Sequence, residues 1–494
     1  MTSQLGRITI YSIAGCPHCL AAKKRLKTDN FQFIDVRVDR FPPEVRQWLQ
    51  EKTGKTSVPQ IFFNARYVGG NKELQESLDN QEVRKELLDI LNTDPVNDDL
   101  PLLPNPGDAI ESDDMEEVVV EKDKYFHIIE KVSNNCSIAG DHYESESCLM
   151  KMFSSPVKHS ISGKDLMKVI TDEGETDAEK VALHLLESRF LRKVSGPEDK
   201  SWSPDDLYIL TGLEARSYSG TKCLNTFKMS SAPLSSPDLM SQQIRNILLK
   251  LFSTFLSEDG SAVDYNGISK SKLFEQFKLL SVELQRVDLN VMSETEKLAF
   301  FINIYNALVI HAHVDKGVPT TTYTRYKFFS SMSYNIGGYV LSLNDIENGI
   351  LRANRASMAT LYMKPFSKTD PRLKIMLSEV EPRIHFALNC GAKSCPPIKT
   401  FSGKEVLEQL DVATGAFLEN DDALYINDDK TEVRLTQLFQ WYQVDFGESM
   451  SQVLSWIHQH VTLPDKKSSL AEVLDRNQYK VSYTPYDWGH NAKE

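Results

Sequence analysis

The spacing of apolar and polar positions changes several times along this chain. "RITIYS" (7–12) and "FQFIDVRVD" (31–39) alternate apolar and polar side chains, and "QIFFN" (60–64) is a short continuous apolar run, so all three are predicted strands. Between them, "PHCLAAKKRLKTD" and "PPEVRQWLQEKTG" are helical in composition, the second opening on prolines and closing on Gly54. "NKELQESLDNQEVRKELLDILN" (71–92) supplies one or two closing helices. The order β-α-β-α-β-β-α over residues 1–92 predicts an α/β domain with a mixed sheet.

The pattern then breaks. Residues 93–143 open with a stretch rich in Pro, Asp and Glu that cannot bury enough apolar area to offset chain entropy, and they are read as an acidic linker. Residues 144–215 carry two amphipathic helices, "SGKDLMKVITDEG" and "DAEKVALHLLESRFLRKV", and a strand in "SWSPDDLYIL". A Ser/Pro-rich linker at 216–239 precedes the largest unit, 240–491, mainly helical at its start and mixed with loops and aromatic clusters towards its end. No repeat with a period of 20 to 50 residues is visible, which argues against a solenoid.

Composition narrows the class. Apolar content of 41% and charged content of 25% are those of a globular chain. No stretch approaches the roughly 20 apolar residues of a membrane span. The first residues lack the basic and apolar segments of a secretion signal. A net charge of −13 speaks against nucleic-acid binding, which depends on Lys and Arg. Seven cysteines are too few for a disulfide scaffold and fit a reducing, cytoplasmic setting.

The sharpest chemical signal is "GCPHC". A zinc site would need two further ligands at suitable spacing, and no second C-x-x-C or H-x₃₋₅-H occurs in the first 120 residues. A structural disulfide sits poorly with a reducing compartment. Thiol chemistry fits the position: Cys16 falls where a strand gives way to a helix, so the free N–H groups of the first turn favour its thiolate. Pro17 takes a position whose N–H is not needed, Cys19 lies one turn deeper, and Lys23, Lys24 and Arg25 add positive potential.

Residues 5–91 resemble a dithiol glutaredoxin, on "GCPHC", "TSVPQIFF" (56–63) and "VGGNKEL" (68–74). The resemblance implies a thioredoxin-like fold, glutathione as co-substrate and glutathionylated or disulfide-bearing proteins as partners. It implies attack by Cys16 and resolution by Cys19. It also implies a cis peptide before Pro59, pairing of the Val58 backbone with the glutathione peptide, and a γ-glutamyl site at Gly70, Asn71, Lys72 and Glu73. Two positions depart from the pattern: His18 stands where Tyr is usual, and Ile13 where a lysine for the glycine carboxylate is usual. A protonated His18 would stabilise the thiolate further and make the disulfide more oxidising.

The middle unit resembles a DEP domain, a small mainly helical α+β winged-helix module, on "FSSPVKHSISGKDLMKVITDEG", the 178–191 pattern and "LYIL". That resemblance implies an adaptor docking to a membrane surface or receptor tail, with Lys151, Lys158, Lys164, Lys168, Arg189, Arg192 and Lys193 as the candidate basic residues. The last unit resembles the domain-of-unknown-function family 547, on "AFFINIYNALVIH", "LSLNDIENGILR", "RIHFALNCGAKSCPPI", "FQWYQVDFG" and "YDWGHN". Its chemistry must come from its residues. "RIHFAL" alternates like a strand and ends at Cys390, with Cys395 five positions on.

Three readings of this pair stand: a Cys390 nucleophile with His385 or His311 as base, a Cys390–Cys395 redox pair, or buried thiols in a tight loop. A redox pair would also offer the N-terminal dithiol a disulfide to reduce. Asn303 and Asn306 share one face of an apolar helix and are read as fastening neighbouring loops. The His311/His313 and His458/His460 pairs would diverge, so no metal is expected. Three functions therefore compete: a glutathione-linked oxidoreductase, a signalling adaptor with a degenerate N-terminal module, and a thiol hydrolase in the C-terminal unit.

Overall fold

Strand β1 (Ile8–Ser12) is buried at every position, including Thr9 and Ser12, so its alternation does not mark an exposed face. The reason lies in the topology of the four-stranded sheet, ordered β2-β1-β3-β4 with β2 at Phe33–Arg37, β3 at Gln60–Phe63 and β4 at Arg66–Gly69. β1 runs parallel to β2 and antiparallel to β3, and both its faces are covered. Ile8 and Ile10 pack with Ala22, Leu26, Leu74 and Leu78 from helices α1 (Pro17–Thr28) and α3 (Asn71–Asp79). On the other side Tyr11 packs with Val45 and Leu49 of α2 (Pro43–Thr53). With α4 (Gln81–Leu91) the order expected for this domain is complete, and its fold is thioredoxin-like.

The structure, a computed structural model, describes residues 5–13, 16–38, 41, 43–93, 100–104, 122–136, 160–194, 199–211, 222–257, 262–356, 363–396 and 399–493. Most of the acidic linker, together with Lys151, Lys158 and most of "FSSPVKHS", lies outside these residues.

The middle unit begins earlier than its composition suggests. Helix α5 (Phe126–Cys136), placed in the linker by sequence, puts Phe126, Ile128, Ile129 and Val132 into one core with α6 (Gly163–Asp172) and α7 (Ala178–Glu187). An antiparallel sheet ordered β5-β7-β6 closes it, with β5 at Ser160–Ser162, β6 at Leu191–Lys193 and β7 at Leu207–Leu210.

The boundary of the last unit also moves. β8 (Lys222–Cys223) pairs in parallel with β9 (Met332–Ile336), and buried Asn225 joins Ser281 and Asn335, so residues 222–236 belong to this unit rather than to a linker. β10 (Tyr339–Ser342) completes that sheet.

Helix α8 (Pro237–Phe255) packs along α10 (Glu294–Lys316), and α9 (Lys272–Glu283) packs on α8 and sets Phe274 and Phe277 against His311 of α10. α10 is long and apolar enough to cross a membrane, contrary to the expectation from sequence. Yet 89% of its apolar window is buried by neighbouring elements, which makes it a core helix. Asn303 on α10 holds Phe401 through both its N–H and its carbonyl, and Asn306 holds the Ala387 carbonyl and the Asn389 N–H. Each amide side chain thus fastens a loop.

The segment "RIHFAL" is not a strand. Pro382–Phe386 forms a short 3₁₀ turn, capped by the Glu381 carboxylate on the Arg383 N–H. Ile384, His385, Phe386 and Ala387 are all buried, so the alternation has no solvent face to report. A second apolar cluster unites α11 (Val406–Leu418) with β11 (Leu424–Ile426), β12 (Glu432–Thr436), α12 (Met450–His460), α13 (Pro464–Arg476) and β13 (Lys480–Thr484).

Candidate functional site

Cys16 is the N-cap of α1: its Sγ accepts the N–H of Cys19 at 3.2 Å. The thiol of Cys19 also donates to it, and this bond, against the cost of burial and aided by the Cys19 N–H, holds the Cys16 pKa below the usual thiol value. Burial and the same hydrogen bond push Cys19 far up. The two sulfurs are therefore differentiated, with ionisation favoured at Cys16 and disfavoured at Cys19.

Of the cations that the sequence points to, Lys23 favours ionisation of both Cys16 and Cys19 from within the domain. Lys23 pairs with Asp35 at 2.5 Å, and Arg25 with Asp29 and Asp79. His18 is exposed, and partial desolvation lowers its pKa, which works against an imidazolium beside the dithiol. The cation that acts on both sulfurs from outside the domain is Lys399 of the C-terminal unit. Desolvation and Arg46 push its ammonium down to about 8, while the Cys16 sulfur works in the opposite direction.

The neighbouring loop carries the one cis peptide among the described residues, Val58–Pro59, with the Val58 carbonyl oxygen 3.8 Å from Cys16 Sγ. Gly70 caps α3, and its N–H donates to Glu73 Oε2 at 2.9 Å, while Glu73 Oε1 meets Lys55 at 3.1 Å. Asn71 and Lys72 occupy the first turn of the same helix. Cys16, Cys19, Val58 and Pro59 are thus brought together, with the helix end at Gly70–Glu73 tied to the same loop through Lys55.

The C-terminal unit reaches this loop as well. Glu419, at the end of α11, accepts the Thr56 N–H at 2.8 Å, the Thr56 hydroxyl at 3.0 Å and the Ser57 N–H at 3.3 Å. Such charge-assisted bonds are worth about 1.5–3 kcal/mol when desolvated. Glu419→Ala is expected to speed amide hydrogen exchange at residues 55–58 about tenfold or more while leaving β1 unchanged. Equal protection in the two proteins would mean that this contact is not maintained in solution.

In the C-terminal unit the candidate second site divides. His385 Nε2 goes to Asp445 at 2.9 Å, and its ring stacks on Tyr442 at 3.9 Å. His311 bonds Tyr334 at 2.8 Å between Phe274 and Phe277. His385 and His311 are thus engaged with Asp445 and Tyr334, and neither is shown as a base for Cys390. Its partner sulfur, Cys395, and the hydroxyl of Tyr486 are what Cys390 Sγ meets.

Lys399, Glu419 and Tyr486 were not singled out by sequence. Only Tyr486 had a signal, in the "YDWGHN" motif; the other two act across a domain boundary that no local pattern encodes. Among the described residues, no three His, Cys, Asp or Glu side chains cluster as a metal site would require.

Comparison with known proteins matches residues 8–68 to the family model described as Glutaredoxin, and residues 289–418 to the one described as Protein of unknown function, DUF547. Glutaredoxin 1 of Rickettsia typhi is 35% identical over 96 residues, 19% of this chain and 88% of that protein. The glutaredoxin of Pseudomonas aeruginosa is 39% identical over 67 residues, 14% of this chain and 79% of that protein. The solution structure of glutaredoxin from Brucella melitensis aligns at 30% identity, over 18% of this chain and 94% of that one, with a TM-score of 0.16.

Proposed function

Because the chain belongs, through its N-terminal domain, to the glutaredoxin family, we propose that this thiol–disulfide oxidoreductase module reduces glutathionylated and disulfide-bearing proteins with glutathione. Cys16 is the attacking thiolate and Cys19 the resolving thiol. The observation that carries the reading is the unequal pair of sulfurs: Cys16 at a helix N-terminus receives hydrogen bonds from the Cys19 N–H and thiol. The thiolate attacks the glutathione sulfur of a mixed disulfide, and the target thiolate leaves and takes a proton from solvent. A second glutathione then attacks the glutathionylated Cys16, releasing glutathione disulfide and restoring the thiolate. Alternatively Cys19 gives up its proton and closes a Cys16–Cys19 disulfide, expelling one glutathione.

The backbone at Val58 and Pro59 and the helix end at Gly70, Asn71, Lys72 and Glu73 form the glutathione-binding side of this reading. Ile13 supplies no cation for a glycine carboxylate, whereas Lys399 places one near the sulfurs. The full chain is expected to turn over a glutathionylated peptide when supplied with glutathione, glutathione reductase and NADPH. Absence of NADPH consumption above the protein-free blank would reject the assignment.

We read the middle unit as an adaptor fixed to the C-terminal unit. Arg189 pairs with Asp288 at 2.9 Å, and Arg286 bonds the Ser188 carbonyl while its guanidinium lies 3.8 Å from the Phe190 ring. Of the basic residues named for docking, Lys193 is buried between Asp199 and Asp206 and Arg192 lies against Gly338, whereas Lys164 pairs with Asp205 at the surface and Lys168 is exposed. Lys164 and Lys168 are the described lysines that docking to a membrane surface or receptor tail would use.

A further inference from the structure

The loop Cys390–Cys395 places two sulfurs 2.9 Å apart, closer than an ordinary non-bonded sulfur contact and within about 1 Å of a covalent S–S bond. The loop is clamped in that shape. Asn389 donates to the Pro396 carbonyl at 2.7 Å and accepts the Gly391 N–H at 2.9 Å, and Asn306 holds the Asn389 N–H at 2.9 Å. Gly391 adopts φ +83°, which favours glycine, and a Cβ there would fall 2.2 Å from the His313 ring. The "YDWGHN" segment closes the other side through Lys393 N–H to Gly489 O at 2.8 Å and Asn491 N–H to Gly391 O at 3.2 Å.

The two sulfurs are unlike. Cys395 Sγ accepts the Cys390 N–H at 3.1 Å and the Tyr486 hydroxyl at 3.2 Å, whereas Cys390 Sγ lies 3.9 Å from that hydroxyl. Burial opposes ionisation of Cys395, but the hydrogen bonds from Cys390 and Tyr486 outweigh it and hold its pKa at about 7. The bond to Cys395, with burial, drives Cys390 far up. Cys223, without a partner sulfur, is pushed up to about 11 by burial.

We propose that Cys390 and Cys395 form a second thiol–disulfide couple, which takes a low-molecular-weight disulfide as oxidant and cycles without Cys16 or Cys19. The Cys395 thiolate attacks one sulfur of glutathione disulfide and expels one glutathione thiolate. Cys390 passes its proton to a departing thiolate and attacks Cys395 Sγ, expelling the second glutathione. Two electrons leave the protein pair and one glutathione disulfide becomes two glutathiones; excess glutathione runs the sequence backwards.

The test uses the full chain and its Cys16→Ser/Cys19→Ser variant, equilibrated over a series of glutathione to glutathione disulfide ratios, acid-quenched, alkylated and digested with trypsin. Cleavage after Lys393 separates the cysteines, so a disulfide appears as peptide 384–393 linked to peptide 394–399. The linked pair is expected to form and disappear reversibly with the ratio, equally in both proteins. Separate alkylation of both cysteines at every ratio, a glutathione adduct without the link, or a link that glutathione cannot open in the folded chain would each overturn the proposal. The result does not depend on the N-terminal reading, because the double variant lacks that dithiol. A second measurement addresses Tyr486: losing one hydrogen bond to a thiolate raises its pKa by roughly one unit, so Tyr486→Phe should slow alkylation of Cys395 near pH 7 about fivefold. An unchanged rate would remove Cys395 as the attacking sulfur.

Discussion

Cys16→Ser is expected to abolish glutathione-linked turnover, with a loss of about 10³-fold or more in the coupled NADPH assay, because no other thiolate is positioned at the N-terminus of α1. Cys19→Ser should behave differently. Serine keeps a hydroxyl that can donate to Cys16 Sγ, and the Cys19 N–H bond of 3.2 Å comes from the backbone and survives the substitution. Turnover of a glutathionylated peptide, which glutathione itself can resolve, should then stay within about tenfold of the parent, while reduction of a protein disulfide that needs intramolecular resolution should fall much further. Equal losses in the two variants on both substrates would show that the sulfurs do not divide the work as their environments indicate.

The second large effect is expected at Asp445. Its side chain is completely buried and accepts two hydrogen bonds from Arg352, at 2.5 and 2.9 Å, and one from His385 at 2.9 Å, with Arg355 at 3.1 Å from the same carboxylate. Desolvation raises its pKa, but the bonds from His385 and Arg352 prevail and hold it well below the usual carboxylate range. Asp445→Ala leaves the buried Arg352 guanidinium without its counter-charge, a change that costs about 3–5 kcal/mol in comparable cases.

The sign of the pH dependence follows from that depressed pKa. The stabilisation is present above the unfolded carboxylate value of about 3.9 and is lost as pH falls through the lower folded value. Urea unfolding of the full chain, followed by fluorescence of the tryptophans near this hub, should show the C-terminal transition at lower denaturant in the variant. The gap between the two proteins should narrow as pH drops below about 4. A variant within about 1 kcal/mol of the parent would mean that the hub does not hold this unit together.

What the sequence made legible follows the range of the interactions involved. The N-terminal fold was readable because each strand and helix carries its own period and boundary signals, and Cys16 because its placement at a helix start is local. Helix α5 is placed in the linker by sequence for the opposite reason: eleven residues after an acidic stretch say nothing of the core they complete, which is formed with residues 161–210. "RIHFAL" misled because burial on all sides satisfies an alternating pattern as well as a sheet does. His385 reads from sequence as a base for Cys390, but the partner it meets, Asp445, lies 60 residues on, and only the fold makes them neighbours. Lys399 and Glu419 reach the N-terminal loop over more than 340 residues of sequence. Lys399 thus brings a cation to the two sulfurs from another part of the same chain.

The central claim is that helical amides, the Cys19 thiol and Lys399 together lower the pKa of the Cys16 sulfur. It is tested most directly by the rate of iodoacetamide alkylation of Cys16 against pH, quantified by mass spectrometry of its peptide in the full chain and in Lys399→Met. The account predicts a midpoint below the free-cysteine value of about 8.5, moving upward when Lys399 is lost. A midpoint at or above that value in the parent protein would contradict it.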